Sequence, residues 1–272
     1  MSQNETLVTR RALLKSTGAF ALLLSLGAMG CGGKGLPPSK VGALGLAGGM
    51  ANAAPVNPTA TGGATEAAEA QGLHSRQLTL EELPWNLQLI NAMHPLPDNY
   101  EVPERKSLPE EGQSVDARIH SSLTAMLEAA KKDGVHPVVC SSYRTHERQT
   151  QLHERRIQKC LNEGMSEKEA KREASFWVAP PGASEHEAAL AVDLVDADYQ
   201  ELDEKQEKTA AQKWLMKHCA EYGFILRYPT DKSDVTGIGY EPWHYRYVGP
   251  HYAQAITESG LCLEEWLDQY LA

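Results

Sequence analysis

Several classes of protein are excluded by what the chain has little of. Only five of its 272 residues are cysteine, and none stands in a C-x-x-C pair. That rules out a disulfide scaffold and a zinc ribbon. Basic side chains are in deficit, 26 against 36 acidic, for a net charge of -10. The electrostatic footprint of a nucleic-acid binder is therefore missing. The apolar run from Ala19 to Met29 is about a dozen residues, short of the roughly twenty that span a bilayer. Composition also excludes collagen, coiled coil and a polytopic membrane protein. What is present, 42% apolar and 23% charged residues, suffices for one ordinary domain with a sizeable core and is marginal for two.

Residues 1–31 read as an export signal. Arg10, Arg11 and Lys15 precede the short apolar run, the secretory pattern. The string Thr9-Arg10-Arg11-Ala12-Leu13-Leu14-Lys15 looks like a twin-arginine signal; an ordinary secretory signal with two chance arginines is the alternative. Ala28-Met29-Gly30-Cys31 resembles a lipoprotein box in which Cys31 would be acylated, although leucine is usual where Ala28 stands. The rival exit is the small-residue site Ala51-Asn52-Ala53. Residues 32–76 are rich in Gly, Ala, Pro and Thr and cannot bury enough surface to offset chain entropy, so they read as a disordered linker. The folded domain is expected over 77–272.

Within that domain Trp85, Leu87, Leu89 and Ile90 alternate as in a strand, and 91–112 reads as loop. From Val115 the set Ile119, Leu123, Met126, Leu127 and Ala130 has helical spacing, closed by Lys131, Lys132 and Gly134. A short strand follows at Pro137–Cys140, then a helix from His146 to about Asn162. Ser166 and Glu169 form a capping box for another helix, to about Phe176. Leu190–Val195 is a strand. Gln206–Tyr222 is a helix ended by Gly223, Phe224–Leu226 and Trp243–Val248 are strands, and Ala253–Leu271 holds one or two closing helices. Helices first and strands clustered late suggest α+β with a small antiparallel sheet. Cys140, Cys160, Cys219 and Cys262 allow three disulfide connectivities; Cys219 with Cys262 is one candidate, and four reduced, buried thiols is the alternative.

Three strings concentrate residues that a plain fold does not need: Ser184-Glu185-His186 with Asp193, Glu241-Pro242-Trp243-His244, and Ser141-Ser142-Tyr143-Arg144 running to Gln149. Two imidazoles and a carboxylate, His186, Asp193 and His244, match the three-ligand pattern of catalytic zinc. Glu241, three residues before His244, could act as base. Each residue has a bland reading, since a lone histidine is more often packed or on the surface. Asp193 differs: a charge inside the apolar strand is costly without a partner.

These strings closely resemble the VanY-type D-alanyl-D-alanine carboxypeptidases, members of the LAS-type zinc peptidases. The family pattern S-x-H-x-x-G-x-A-x-D stands here as Ser184 to Asp193, and E-x-W-H as Glu241 to His244. Ser142-Tyr143-Arg144-Thr145 with Gln149, Gly223 to Pro229, Tyr245 to Gly249 and Asn91 to Tyr100 also resemble family text. The resemblance covers about residues 80–255. It implies a LAS/Hedgehog-like fold and Zn2+ held by His186, Asp193 and His244, with Glu241 as base. Arg144 would polarise the scissile carbonyl or hold the substrate's terminal carboxylate. Gln149, Ser184, Ser142 and Tyr143 are the implied substrate contacts. One departure is Ala189, where the family has glycine, the residue that takes positive φ without strain. Another is Ser142, where glycine is frequent.

The expected function is an exported zinc D,D-carboxypeptidase that trims the terminal D-alanine of peptidoglycan stem peptides. It would be anchored at the outer face of the cytoplasmic membrane through an N-terminal lipid, with a monomeric chain and no nucleic-acid partner. The rivals are an L,D-carboxypeptidase or D,D-dipeptidase of the same fold, and, in another class, a non-catalytic wall-binding module.

Overall fold

The computed structural model describes residues 78–271. The export segment, Cys31 and the linker lie outside the described residues. A two-stranded antiparallel ladder joins β1 (Arg105–Ser107) to β2 (Ser114–Asp116). Helix α1 (His120–Lys132) leads into β3 (Pro137–Ser141). The pair α2 (His146–Asn162) and α3 (Glu167–Trp177) follows, and then β4 (Ala191–Asp196). After α4 (Ala210–His218) come β5 (Phe224–Leu226), the single turn α5 (Ser233–Thr236) and β6 (His244–Tyr247). The described chain closes with α6 (Pro250–Ser259) and α7 (Leu263–Leu267).

The main sheet has four strands in the order β3-β4-β6-β5, every pair antiparallel. With helices around it, this is the expected α+β architecture. Alternation along each strand sorts the side chains. Leu190, Val192 and Leu194, with Tyr245 and Tyr247 of β6, enter one core with Leu123, Met126 and Phe224. Ile225 and Val248 join a second core with Tyr252, Ile256, Trp266 and Leu267. The remaining set, Asp193 on β4 with His244 and Arg246 on β6, faces the other way. Register makes Asp193 and His244 Cα partners, so their side chains emerge side by side.

Helices with strong local caps begin where the sequence places them. Thr145 accepts from Arg148 N at the start of α2, and Ser166 with Glu169 forms the capping box of α3. Three expectations need correction. Residues 85–90 form no strand; a turn buries Leu87 and Ile90, and the carbonyls of Asn86 and Gln88 accept from Arg246 instead of from a ladder. The expected loop at 91–112 contains β1, and the chain at Val115 is strand before it is helix. The helix expected over 206–222 is divided. Thr209 takes extended dihedrals and caps α4, while Glu204–Lys208 and Cys219–Tyr222 are 3-10 turns. The fully buried Gln206 explains the first break, since its side chain bonds the backbone at Asp196, Tyr199 and Glu201. Of the two cysteine alternatives the reduced one stands: Cys140, Cys160, Cys219 and Cys262 are four separate thiols, three of them buried and Cys140 part-buried.

Candidate metal centre

Each metal-binding side chain predicted from sequence sits on a different stretch of chain. His186 lies in a tight turn, where Glu187 N donates to Ser184 O and Ala189 N donates to His186 O. At the end of that turn Ala189 takes φ 56, a left-handed conformation in a non-glycine residue. Asp193 follows on β4. His244 opens β6, after the Pro242-Trp243 turn in which its N–H donates to the Glu241 carbonyl.

The three converge. One donor atom from each of His186, Asp193 and His244 lies within 4.8 Å of the others, and all three residues are buried. Asp193 Oδ1 is 3.3 Å from His186 Nε2 and 3.3 Å from His244 Nδ1. Neither contact has hydrogen-bond geometry, and Oδ1 is a buried oxygen with no hydrogen-bond partner.

The imidazole tautomers follow from their far sides. His186 Nδ1 lies 2.7 Å from the Ser142 carbonyl. A carbonyl only accepts, so Nδ1 carries the proton and the Nε2 lone pair points at Asp193. His244 Nε2 lies 3.3 Å from Glu185 Oε2, which leaves Nδ1 turned toward Asp193 and toward Glu241 Oε2 at 3.4 Å. Two imidazole lone pairs and an orphaned carboxylate oxygen around one point are the donor set of a tetrahedral zinc site, so the residues fit the ion.

Electrostatics agree. Burial, together with the nearby Arg144 guanidinium, pushes His186 down to about 4, so it is neutral near pH 7. Burial would raise Asp193, but His186, His244 and Arg144 hold it well below the usual carboxylate range. For His244 burial opposes charging, yet its contacts with Asp193, Glu185 and Glu241 hold it well above an ordinary histidine. The same ring of carboxylates that favours a proton there favours a cation, which would displace it. Burial raises the Glu241 carboxyl, with His244 partly offsetting it. A carboxylate shifted upward is suited to taking and returning a proton near neutral pH.

A cavity of about 450 Å³ opens over this cluster, lined among others by Arg144, Gln149, Ser184, Tyr228, Glu241 and Trp243. Arg144 donates through Nη2 to Asp193 Oδ2 at 2.7 Å and to Ser141 Oγ at 2.8 Å. Its Nη1 donates to Gln149 Oε1 at 3.4 Å. Gln149 in turn donates to the Ala179 carbonyl at 2.7 Å, so it anchors Arg144 as well as lining the cavity. Ser184 is buried in the cavity wall.

Ser142 and Tyr143 are not among the lining residues. Ser142 Oγ donates to Gln113 Oε1 at 2.6 Å and accepts from Ser114 N at 2.9 Å, while its carbonyl holds His186. Tyr143 lies under the Arg105 guanidinium, 4.0 Å from ring centroid to Cζ. The structure therefore places Ser142 behind His186 rather than in the cavity wall. Sequence reasoning gave no role to Glu185, Arg227, Arg246 and Glu264, a fully or nearly buried charged group behind His244. Arg227 beside β5 and Arg246 within β6 carried the signal that made Asp193 visible, a charge beside apolar strand residues.

A family model described as VanY, D-alanyl-D-alanine carboxypeptidase, matches residues 112–250. A D-alanyl-D-alanine carboxypeptidase of Enterococcus faecalis (strain ATCC 700802 / V583) is 39% identical over 218 residues, covering 79% of this chain and 78% of the relative. Among solved structures, a mutant vancomycin resistance D,D-pentapeptidase VanY from a VanB-type cassette, in complex with Zn(II), is 40% identical with a TM-score of 0.61. That match covers 68% of this chain and 99% of that one. VanYB in complex with D-alanine-D-alanine is likewise 40% identical, with a TM-score of 0.62 and coverage of 68% and 98%.

Proposed function

Because this chain belongs to the VanY family of D-alanyl-D-alanine carboxypeptidases, we propose that it is an exported enzyme that removes the terminal D-alanine from peptidoglycan stem peptides. It is a zinc metallo-carboxypeptidase. His186, Asp193 and His244 would hold the ion and Glu241 would be the base. The observation that carries this reading is the buried convergence of the three donors within 4.8 Å, with Glu241 Oε2 3.4 Å from His244 Nδ1.

Zinc bound there would supply Lewis acidity to the scissile carbonyl and make water more acidic. The chain's own groups do the rest. Glu241, on the cavity wall, takes a proton from the attacking water as its oxygen bonds to the carbonyl carbon. It then delivers that proton to the leaving D-alanine nitrogen as the C–N bond breaks. Arg144 lines the cavity with Nε and Nη2 committed to Ser141 and Asp193, so its Nη1 is the charged donor left for a terminal carboxylate or the developing oxyanion. Ser184 adds a neutral hydroxyl and Gln149 keeps the guanidinium in place. A charged terminus read in this way makes the enzyme an exopeptidase.

Export and lipid anchoring at Cys31 are supported by the N-terminal sequence pattern alone. A Cys31→Ala chain recovered in the soluble rather than the membrane fraction would bear the anchor out, and unchanged fractionation would refute it.

The decisive assay gives the zinc-loaded protein pentapeptide and tetrapeptide stems in parallel. D-Alanine should be released from the pentapeptide. Release from the tetrapeptide alone would replace the D,D reading with the L,D one. Glu241→Gln should retain zinc and lose about 10²- to 10⁴-fold in turnover, as for a removed general base. Undiminished turnover would take Glu241 out of the mechanism.

A further inference from the structure

We propose that the buried ion-pair chain Glu264–Arg227–Glu185 is a positioning relay that fixes the His244 ring with its Nδ1 lone pair facing the metal point. The inference rests on reading His244 as a zinc ligand.

Glu185 is the hub. It is 1% exposed, and Oε2 lies 3.3 Å from His244 Nε2. Its other oxygen, Oε1, accepts from Arg227 Nε at 2.7 Å and from Arg246 Nη1 at 2.8 Å. Arg227 turns the rest of its fork on Glu264 in a bidentate pair, Nη1 to Oε2 at 2.8 Å and Nη2 to Oε1 at 2.6 Å. Glu264 stands in the first turn of α7, and Asn91 Nδ2 donates to its Oε1 at 3.2 Å. Arg246 completes its bonds on the backbone carbonyls of Asn86, Gln88 and Tyr247. The chain thus runs from the last helix, through two buried guanidinium contacts, to the back of a site imidazole.

Two carboxylates and two guanidiniums cancel in charge, but removing all four from water is costly. Well-packed apolar side chains often stabilise a fold as well as a buried ion pair does. What apolar packing lacks is direction. A carboxylate behind a ligand imidazole can only accept, so it dictates which ring nitrogen keeps its proton and which way the ring turns. Two guanidinium donors on its other oxygen, from Arg227 and Arg246, then restrict how the carboxylate itself can rotate, and the bidentate pair with Glu264 fixes Arg227. His186 has only a backbone carbonyl in the corresponding place, so His244 is the ligand whose aim depends on side chains from elsewhere in the fold.

The test uses the full chain with Glu185→Gln and Glu264→Gln. Zinc affinity is measured by chelator competition, ligand geometry by the visible spectrum of the cobalt form, and fold by the unfolding temperature without metal. Glu185→Gln should weaken zinc binding about ten- to a hundredfold, the usual cost of losing an outer partner, and alter the cobalt spectrum. Glu264→Gln should move both readouts in the same direction by less. A folded Glu185→Gln protein with wild-type zinc affinity and cobalt spectrum would overturn the relay. Should Glu185→Gln not fold, Glu264→Gln decides. A lowered unfolding temperature with zinc affinity and spectrum unchanged would make the chain a structural tie and sink the proposal. Arg227→Lys, which keeps the charge and loses the fork, is read by the same criterion. Wild-type zinc affinity in His244→Ala would instead overturn the site assignment, leaving the relay without an object.

Discussion

Ala189 shows how a single side chain can sit against a local preference. Its φ of 56 places it in the left-handed region, where a Cβ costs roughly 1–2 kcal/mol. The turn needs that conformation to bring His186 back over β4, and the family pattern has glycine at this point. Removing the methyl would relieve the strain. It would also forfeit about 0.8 kcal/mol of buried methyl and about 0.5–1 kcal/mol of backbone entropy in the unfolded chain. These contributions nearly cancel, so Ala189→Gly should leave stability within about 0.5 kcal/mol of wild type. The same change at Ala174, fully buried inside α3, has no strain to relieve and should cost about 2 kcal/mol. Calorimetry on both variants checks this: Ala174→Gly should melt about 4–8 °C lower and Ala189→Gly within about 2 °C of wild type. Equal losses would mean that the turn is unstrained. Residue-scale reading of the sequence worked where one residue contradicts its neighbours. Asp193 is a charge in an apolar strand, and that contrast alone signals a partner elsewhere in the fold. Glu185 has no such contrast, because Ser184, His186 and Glu187 beside it are polar themselves, and nothing local points to Arg227, His244 and Arg246, which lie 42, 59 and 61 residues away.

Elements were legible where local chemistry sets their ends. Helices α2 and α3 start at side chains that cap their own first turns, so three or four consecutive residues suffice to place them. Residues 85–90 misled because apolar alternation records which side chains are buried, not which carbonyls find a ladder. Here Arg246, more than 150 residues away, takes two of those carbonyls. The junction of the last 3-10 turn with β5 lies between these cases. Gly223 is readable as a helix stop, but its second task needs the fold. Its carbonyl accepts from Val248 N at 2.8 Å and Gly249 N at 3.1 Å, clasping β5 to the chain leaving β6. A Cβ there would stand 2.8 Å from the Tyr247 ring and 2.9 Å from the Pro250 nitrogen, at φ +85. Strain of roughly 1–2 kcal/mol and overpacking of about 1–3 kcal/mol add, so Gly223→Ala should lose about 2–5 kcal/mol. Urea unfolding should show the midpoint falling with the slope unchanged. A loss under about 1 kcal/mol would show that the clasp yields without consequence.

At the scale of the whole molecule, the metal point is where separate parts of the fold meet. His186 comes from a turn held by the Ser142 carbonyl after β3, Asp193 from the middle of β4, and His244 from the start of β6. Unfolding scatters these three, so zinc binds the native state far better than the unfolded chain. Its binding energy therefore becomes folding energy. Without the ion, the folded protein keeps a buried carboxylate oxygen with no hydrogen-bond partner and a His244 ring that prefers to be protonated. Zinc at about a thousand times its dissociation constant should add about 4 kcal/mol. For a domain of this size each kcal/mol moves the melting temperature by about 2–4 °C, so the zinc-loaded protein should melt about 8–16 °C above the chelator-stripped one. The shift should grow with the logarithm of free zinc and should largely vanish in Asp193→Asn, which replaces the anionic carboxylate beside both imidazoles with a neutral amide. A reductant should change neither melting temperature, since Cys140, Cys160, Cys219 and Cys262 stand apart as free thiols. If zinc leaves the melting curve of the stripped wild-type protein in place, or stabilises Asp193→Asn equally, the ion binds somewhere other than this junction.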